Sequence, residues 1–240
     1  MENNKKYVFF GLILGLSLII STGVGAYAFY KIRSTNYLTT TGSAKESVVS
    51  DSVKWTSTIT RRVTTSTIKD GYTKMDTDLK AVKSFLATNG ITDDSVNISP
   101  ILMNEVYDQN QSAEKKYDLV QTITVQSTNV QKIADLSKNT SSLIENQSVI
   151  FATTSLEYYY SKLPDARVAL LANAVADAKA RAEQLATAGG KKIGNLQSAS
   201  SGVVQVMAPN SAEVSDYGTY DTSSINKEIM VTVKASFEIK

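Results

Sequence analysis

An α+β fold follows from two periodicities and the order in which they alternate. Apolar and polar residues alternate at every second position over Ser52 to Thr64 and Tyr117 to Gln126, the period of half-buried strands. Apolar residues recur every third or fourth position over Ile68 to Leu86, and Pro164 to Ala188 reads as a second, alanine-rich helix. The order β-α-β-β occurs twice: strand 52–64, helix 66–89 and strands 96–107 and 117–126, then strand 148–160, helix 164–188 and strands 196–207 and 229–239. A helix near 129–144 links the two. The repeat is one of pattern and not of sequence. It predicts two β-α-β-β units with helices packed on largely antiparallel sheets, preceded by one N-terminal transmembrane helix.

That first helix rests on Tyr7 to Tyr30, 24 residues without a charge. About 20 helical residues cross the hydrocarbon core at 1.5 Å per residue. Tyr7 and Phe9 at one end, and Tyr27, Phe29 and Tyr30 at the other, are interfacial residue types. Two readings are open. An uncleaved signal anchor would leave residues 1–6 as a short cytoplasmic tail, 31–36 as a linker and 37–240 as an extracytoplasmic domain. A cleaved signal peptide would end at the small-x-small run Ala26-Tyr27-Ala28 and release a secreted domain. The apolar run exceeds an ordinary signal-peptide core, which favours the anchor.

After the linker, Tyr37 to Thr41 reads as a strand ending at Gly42. In 52–64, Val53, Trp55, Ser57 and Ile59 share one face. The helix that follows carries Ile68, Tyr72, Met75, Leu79, Val82 and Leu86 at spacings of four and three, and Asn89-Gly90 ends it. Residues 108–116 form a polar turn before strand 117–126, whose Leu119, Gln121, Ile123 and Val125 face together. The 129–144 helix places Val130, Ile133 and Leu136 on one side. Pro164 suits a first helical turn, and Gly189-Gly190 stops the alanine-rich helix. Its predicted apolar stripe is Val168, Leu171, Val175, Ala178, Ala182 and Leu185. Residues 208–228 are polar and aperiodic and read as a mobile surface loop.

Composition excludes much chemistry. There is no Cys and no His, which removes disulfides, thiol nucleophiles, Ser-His-Asp triads and His- or Cys-ligated metals. Of the 25 basic and 23 acidic residues, Lys5, Lys6, Lys31 and Arg33 but only Glu2 flank the apolar segment. The rest of the chain is close to neutral and offers no electrostatic footprint for nucleic acid. Lys179, Arg181, Lys191 and Lys192 read as cations answering a helix C-terminus.

Three stretches bear a resemblance. They are Thr41-Gly-Ser-Ala-Lys-Glu-Ser-Val48, then Phe85 to Pro100, and Ala172 to Ala186 followed by Gly189 and Lys192-Ile-Gly194. Together they resemble the SIMPL-domain family, also called the domain of unknown function 541 family, over roughly residues 37 to 240. Ala44 stands where the family pattern has a second Gly. The resemblance implies a periplasmic or cell-surface α+β protein that assembles into ring-like or channel-like homo-oligomers, and bacterial members link it to envelope stress. It brings no catalytic residues.

Candidate sites read from the residues are weak. Asp76 with Asp78, Asp93-Asp94, and Asp216 with Asp221 are acidic pairs, but none has calcium-loop spacing. Arg61-Arg62 reads as a solvated strand end, with an anionic surface as the sharper alternative. Tyr158-Tyr-Tyr160 reads as strand filler, or as a stacking or oligomer contact. Gly189-Gly190 and Gly194 form no phosphate loop. The expectation is therefore a non-enzymatic, membrane-anchored envelope protein without catalytic, cofactor-binding or metal residues, without a nucleic-acid partner, and self-assembling as a homo-oligomer. The alternative is a small-molecule or ion-binding extracytoplasmic module with a pocket between its two units. A carboxylate hydrolase comes third.

Overall fold

The computed structural model describes residues 2–33, 36–107, 114–147 and 149–240. Parts of the predicted linker (34–35) and polar turn (108–113), and residue 148 of the predicted strand 148–160, lie outside the described residues. The chain divides into two compact units. The first comprises Met1–Ser43, Ala172–Gly202 and Thr232–Lys240; the second comprises Ala44–Leu171 and Val203–Val231.

α1 (Glu2–Arg33) opens the first unit. Its Tyr7–Tyr30 stretch is apolar and long enough to cross a membrane, and none of its most apolar stretch is buried. β1 (Tyr37–Val49) follows, then in the second unit β2 (Ser52–Thr64), whose bounds match the sequence reading, and α2 (Ile68–Thr88), entered through a 3₁₀ turn at Thr65–Thr67. α2 ends where Gly90 takes φ +70°, with the Ile91 amide donating to the Leu86 carbonyl.

The predicted strand 96–107 is two strands, β3 (Val96–Ile98) and β4 (Leu102–Val106). Pro100 has no N–H for a ladder; just before it, Ser99 holds Thr122 with its own amide donating to the Thr122 carbonyl and its hydroxyl accepting the Thr122 amide, both at 2.9 Å. Both pair antiparallel with β5 (Lys116–Ser127). The helix expected over 129–144 is likewise split, into α3 (Val130–Lys138) and α4 (Ser141–Gln147). Asn139 caps the first, its side chain donating to the Asp135 carbonyl.

β6 (Phe151–Tyr159) lies against β2, giving the order β3–β5–β2–β6 with β4 also on β5. This corrects the sequence reading: the strand assigned to the second β-α-β-β repeat belongs to the first sheet. β2 and β5 pair from Val53↔Ser127 through Thr64↔Lys116 without a slip. Their inward residues pack on α2 and α3, with Trp55, Ile59, Met75, Leu119, Ile123 and Ile133 essentially inaccessible. Gly71 lets α2 approach: a Cβ there would strike Val63 Cγ1. Trp55 sets its ring edge-to-face on Phe151 at 5.9 Å and donates its indole N–H to Thr153 Oγ1.

The remaining elements are α5 (Leu163–Ala188), β7 (Ile193–Ser201), β8 (Gln205–Met207), β9 (Thr219–Tyr220) and β10 (Asn226–Ile239). The predicted strand 196–207 thus divides at 202–204. In the second unit β10 pairs antiparallel with β8, and β9 adds parallel to β8. Val48, Ala166, Leu170, Val206, Ile229 and Val231 form its second apolar cluster. In the first unit β10 has β1 on one side and β7 on the other, with Val233 opposite Ser201 and Ile239 opposite Ile193.

Three expectations are corrected in this region. The first strand does not end at Gly42; β1 runs on to Val49. A Cβ at Gly42 would overlap the Ala174 carbonyl and the Ala178 amide of α5. The glycine is there because the helix backbone lies against it, not to turn the chain. The apolar stripe of α5 is also different. Ala166, Leu170, Ala174, Ala178, Ala182 and Ala186 are buried, whereas Val168 and Leu185 are 69% and 57% exposed. Ala178 and Ala182 of the predicted stripe are buried as expected, but the ridge is built of alanines at every fourth position with Leu170 among them, while Val168 and Leu185 stay outside. Finally, residues 208–228 contain β9 and the start of β10 and are tied by the side-chain network described below.

Substitution of Gly42 by Ala is expected to lower stability by about 3 kcal/mol, since neither clashing group is a movable side chain. Gly189→Ala meets only ordinary contacts and is expected to change it by less than about 0.5 kcal/mol. Denaturant unfolding of the two variants beside wild type makes the comparison.

Candidate functional site

The carboxylates and cations singled out from the sequence are largely engaged with each other. Asp78 is buried on α2, and Arg61 of β2 donates to both its oxygens, Nε to Oδ2 at 2.5 Å and Nη2 to Oδ1 at 2.7 Å. That hydrogen bond raises the Arg61 pKa further, against the opposing effect of burial. Arg62, the next residue, points to the other face and makes the same two-pronged contact with Asp118 directly across the ladder, both bonds 2.8 Å. The hydrogen bond from Arg62 lowers the Asp118 pKa. Arg61-Arg62 is therefore no free solvated strand end. Asp76 pairs with Lys80 on the α2 surface, and Asp93 lies 3.6 Å from Lys83. Asp93-Asp94 occupies a 3₁₀ turn. Asp216 is exposed, while Asp221 is hydrogen-bonded.

The basic group read as a helix terminus also resolves differently. Lys179 and Arg181 lie well inside α5 and pair at i,i+4 with Glu183 and Asp177. Asp177 in turn accepts the Ser43 amide of β1 at 2.8 Å, which lowers its pKa first, with the Arg181 hydrogen bond next. Lys191 and Lys192 follow the helix, beyond Gly190 at φ +68°.

The densest polar cluster of the second unit surrounds Lys227. Only 1% of this residue is exposed. Its ammonium donates to the Asp221 and Ser224 carbonyls at 2.5 and 2.7 Å and lies 3.7 Å from Asp221 Oδ2. Asp221 Oδ1 accepts the Ser223 amide and hydroxyl, and Oδ2 accepts the Ser224 amide and hydroxyl. Burial pushes the Asp221 carboxyl up, but the Ser223 and Ser224 hydrogen bonds and the Lys227 charge together outweigh it and hold it well below the ordinary carboxylate range. Burial pushes Lys227 down, against the pull of Asp221. Two carbonyls accept from the ammonium and the Asp221 carboxylate lies close beside it, so this cluster staples a loop. Beside it, Gln205 does the same for the preceding segment: its amide donates to the Ser215 carbonyl and its oxygen accepts from the Ser215 amide and Thr219 hydroxyl.

The sequence reading missed Lys227, although a signal was present. Lys227, Ile229, Val231, Val233, Ala235 and Phe237 alternate along β10 and are all buried, so extending the period by one step places the lysine inside. Tyr158-Tyr-Tyr160 divides into three roles. Tyr158 joins the apolar cluster of the first sheet. Tyr159 stacks at 6.0 Å on Tyr220, whose hydroxyl accepts the Tyr160 amide at 2.9 Å.

Two surface features can engage something outside the chain. The first is an open groove in the first unit, about 480 Å³, lined by Tyr37 and Thr39 of β1, Lys234 and Ser236 of β10, and Gln197 and Ser198 of β7. Thr39 and Ser236 share a hydrogen bond across it. The second is β7 itself, an edge strand whose side chains are exposed on both faces from Asn195 to Ser201. Among the described residues no group of three or more acidic side chains is placed to hold a metal ion.

Asp221→Asn is expected to destabilise the fold by about 2–4 kcal/mol at neutral pH, because it leaves Lys227 buried without its anion. The Asp221 contribution is present above the unfolded carboxylate pKa of about 3.9 and is lost as pH falls through the lower folded value. Denaturation curves across pH should therefore show the gap between wild type and variant closing below about pH 4.

Comparison with known proteins adds one finding. Residues 38–237 match the family described as SIMPL, protein of unknown function (DUF541). No curated protein matches the chain. The match takes in every strand and all helices after the first, so the chain belongs to the SIMPL family.

Proposed function

We propose that this chain is a non-enzymatic envelope protein, anchored by Tyr7–Tyr30, whose SIMPL domain lies outside the cytoplasm and self-assembles into a homo-oligomer. The observation that carries the proposal is the unguarded edge of β7. Natural edge strands carry inward charges, prolines or short lengths that prevent pairing with another chain. β7 has nine residues, Ile-Gly-Asn-Leu-Gln-Ser-Ala-Ser-Ser, with no charge and no proline. Two register shifts against β10 lie near the start of β7, at Ser236/Phe237 and Phe237/Ile239. Beyond them Ser198 to Ser201 is regular and small-sided. Main-chain hydrogen bonds to a second copy would extend the sheet, and anchoring in one bilayer raises the local concentration. The engagement of the acidic pairs in ion pairs and loop caps supports a non-enzymatic role. The link to envelope stress implied by the family resemblance belongs to this reading, and expression under membrane-perturbing agents checks it.

A second reading, a small-molecule or ion-binding module, draws on the groove beneath Tyr37, whose volume falls within the range of ligand pockets. Thermal shifts of the full chain across a metabolite and ion panel would reveal such a ligand.

Light scattering on full-length protein eluting in mild detergent is expected to give a multiple of the 26.0 kDa chain. The double substitution Ala199→Lys and Ser201→Lys places like charges on the edge and is expected to return a folded monomer, with an unchanged circular dichroism spectrum and an unfolding midpoint that no longer depends on concentration. A wild-type monomer at high concentration would end the self-assembly reading.

A further inference from the structure

The anchor constrains which end of the first unit lies near the bilayer. Four Cα steps join Arg33, the last residue of α1, to Tyr37, the first of β1, and they span at most about 14 Å. Asn36 is tied to the far end of β10, its carbonyl accepting the Ile239 amide at 3.0 Å. Lys192 and Lys240 exchange two backbone hydrogen bonds, 2.9 and 2.7 Å. The start of β1, the end of β10 and the start of β7 therefore form one end of the sheet, and covalent length keeps that end beside the C-terminus of α1.

That end is basic. Lys191, Lys192 and Lys240 are all exposed, and none is ion-paired among the described residues. The Lys240 stem and the Glu238 carboxylate both pass close to Gly194, where a Cβ would meet them. Lys234 lies further along β10 in the groove, and Glu238 is the one acid among these residues. The groove opens at the same end, since Asn36 and Tyr37 form part of its wall, and Tyr37 is 63% exposed. A half-exposed tyrosine beside lysines is the residue set that occupies a lipid interface.

We infer that this lysine rim, with the groove beneath Tyr37, seats the domain on anionic phospholipid headgroups of the bilayer its helix crosses. The inference rests on the anchor reading. The lysines supply the attraction, each favouring the seated state about fivefold near an anionic surface. The groove accepts a headgroup: Lys234 meets the phosphate, and Thr39, Ser198 and Ser236 offer hydroxyls. The seat fixes the orientation of a domain otherwise held by a three-residue link.

The absence of cysteine makes the test clean. Asn195→Cys on β7 gives a single labelling site, and a fluorophore there in full-length protein reports proximity to headgroup-quencher lipid. Proteoliposomes of phosphatidylcholine are compared with ones containing about one third phosphatidylglycerol. The expected result is stronger quenching with phosphatidylglycerol, relieved by about 0.5 M salt. In K191Q/K192Q/K240Q the seated-to-unseated ratio falls on the order of a hundredfold. Quenching that ignores phosphatidylglycerol, or that survives the triple substitution, overturns the seat. Alkaline carbonate extraction separates this from failure of the anchor. Should the chain be extracted, its sedimentation with the same vesicles decides: phosphatidylglycerol-dependent binding lost in the triple variant upholds the seat, and no binding overturns it.

Discussion

The close approach of β1 to α5 is the constraint on which the first unit depends. Gly42 faces the helix backbone at Ala174 and Ala178, with no room for a side chain. On either side of it the strand is bonded to the helix: the Thr40 hydroxyl donates to the Ala178 carbonyl at 2.8 Å, and the Ser43 amide donates to Asp177. The approach is possible only because the helix presents alanines at every fourth position. Each alanine methyl contributes less than about 1 kcal/mol of burial, so the joint is weak in apolar area. Its hydrogen bonds make up the difference, and they also fix the axial position of the helix, since Thr40 and Ser43 engage adjacent residues of one turn. The second unit works on the opposite principle, with Trp55, Met75 and a set of large aliphatic residues filling the space between the sheet and α2 and α3.

This contrast explains what the sequence disclosed. β2 and α2 were legible to within a few residues because large side chains alternate with polar ones, and the contrast in size carries the period. α5 was legible as a helix, from its alanines, but its buried face was not. Where the buried residues are small and the exposed ones include Val168 and Leu185, apolarity and burial no longer coincide. Gly42 misled for a related reason. A glycine after a strand is ordinarily a turn, and nothing local indicates that a helix more than a hundred residues later needs the space. The placement of β6 beside β2 is non-local in the same way.

The charged residues show why composition gave only a coarse answer about function. A nearly neutral domain could carry free, separated charges or internally paired ones. Here Arg61 and Arg62, adjacent in sequence, engage carboxylates on opposite faces of one strand, the first on a helix and the second on the neighbouring strand. Asp221 and Lys227 secure the loop that reads as aperiodic from sequence, because its order comes from a buried ammonium and serine hydroxyls and not from hydrophobic repetition. Side chains that looked like candidate chemistry are thus mostly structural, and the features left to face outward, an uncharged strand edge and a basic sheet end, are ones that no motif describes.

Anchoring of the proposed kind would also restrict how such an edge is used. Copies held in one bilayer must be related by an axis along the membrane normal, since a two-fold axis in the membrane plane would place their helices on opposite sides. Thr39 faces Ser236 and Asn36 faces Ile239, so β1 runs antiparallel to β10, as β7 does. The two outer strands of the first unit therefore point the same way. A joint between β7 of one copy and β1 of the next would be parallel and would leave every copy in the same orientation, which an axis along the normal permits. The Ser43 amide, midway along β1, is already taken by Asp177, so a strand docking along β1 would go without that one ladder hydrogen bond.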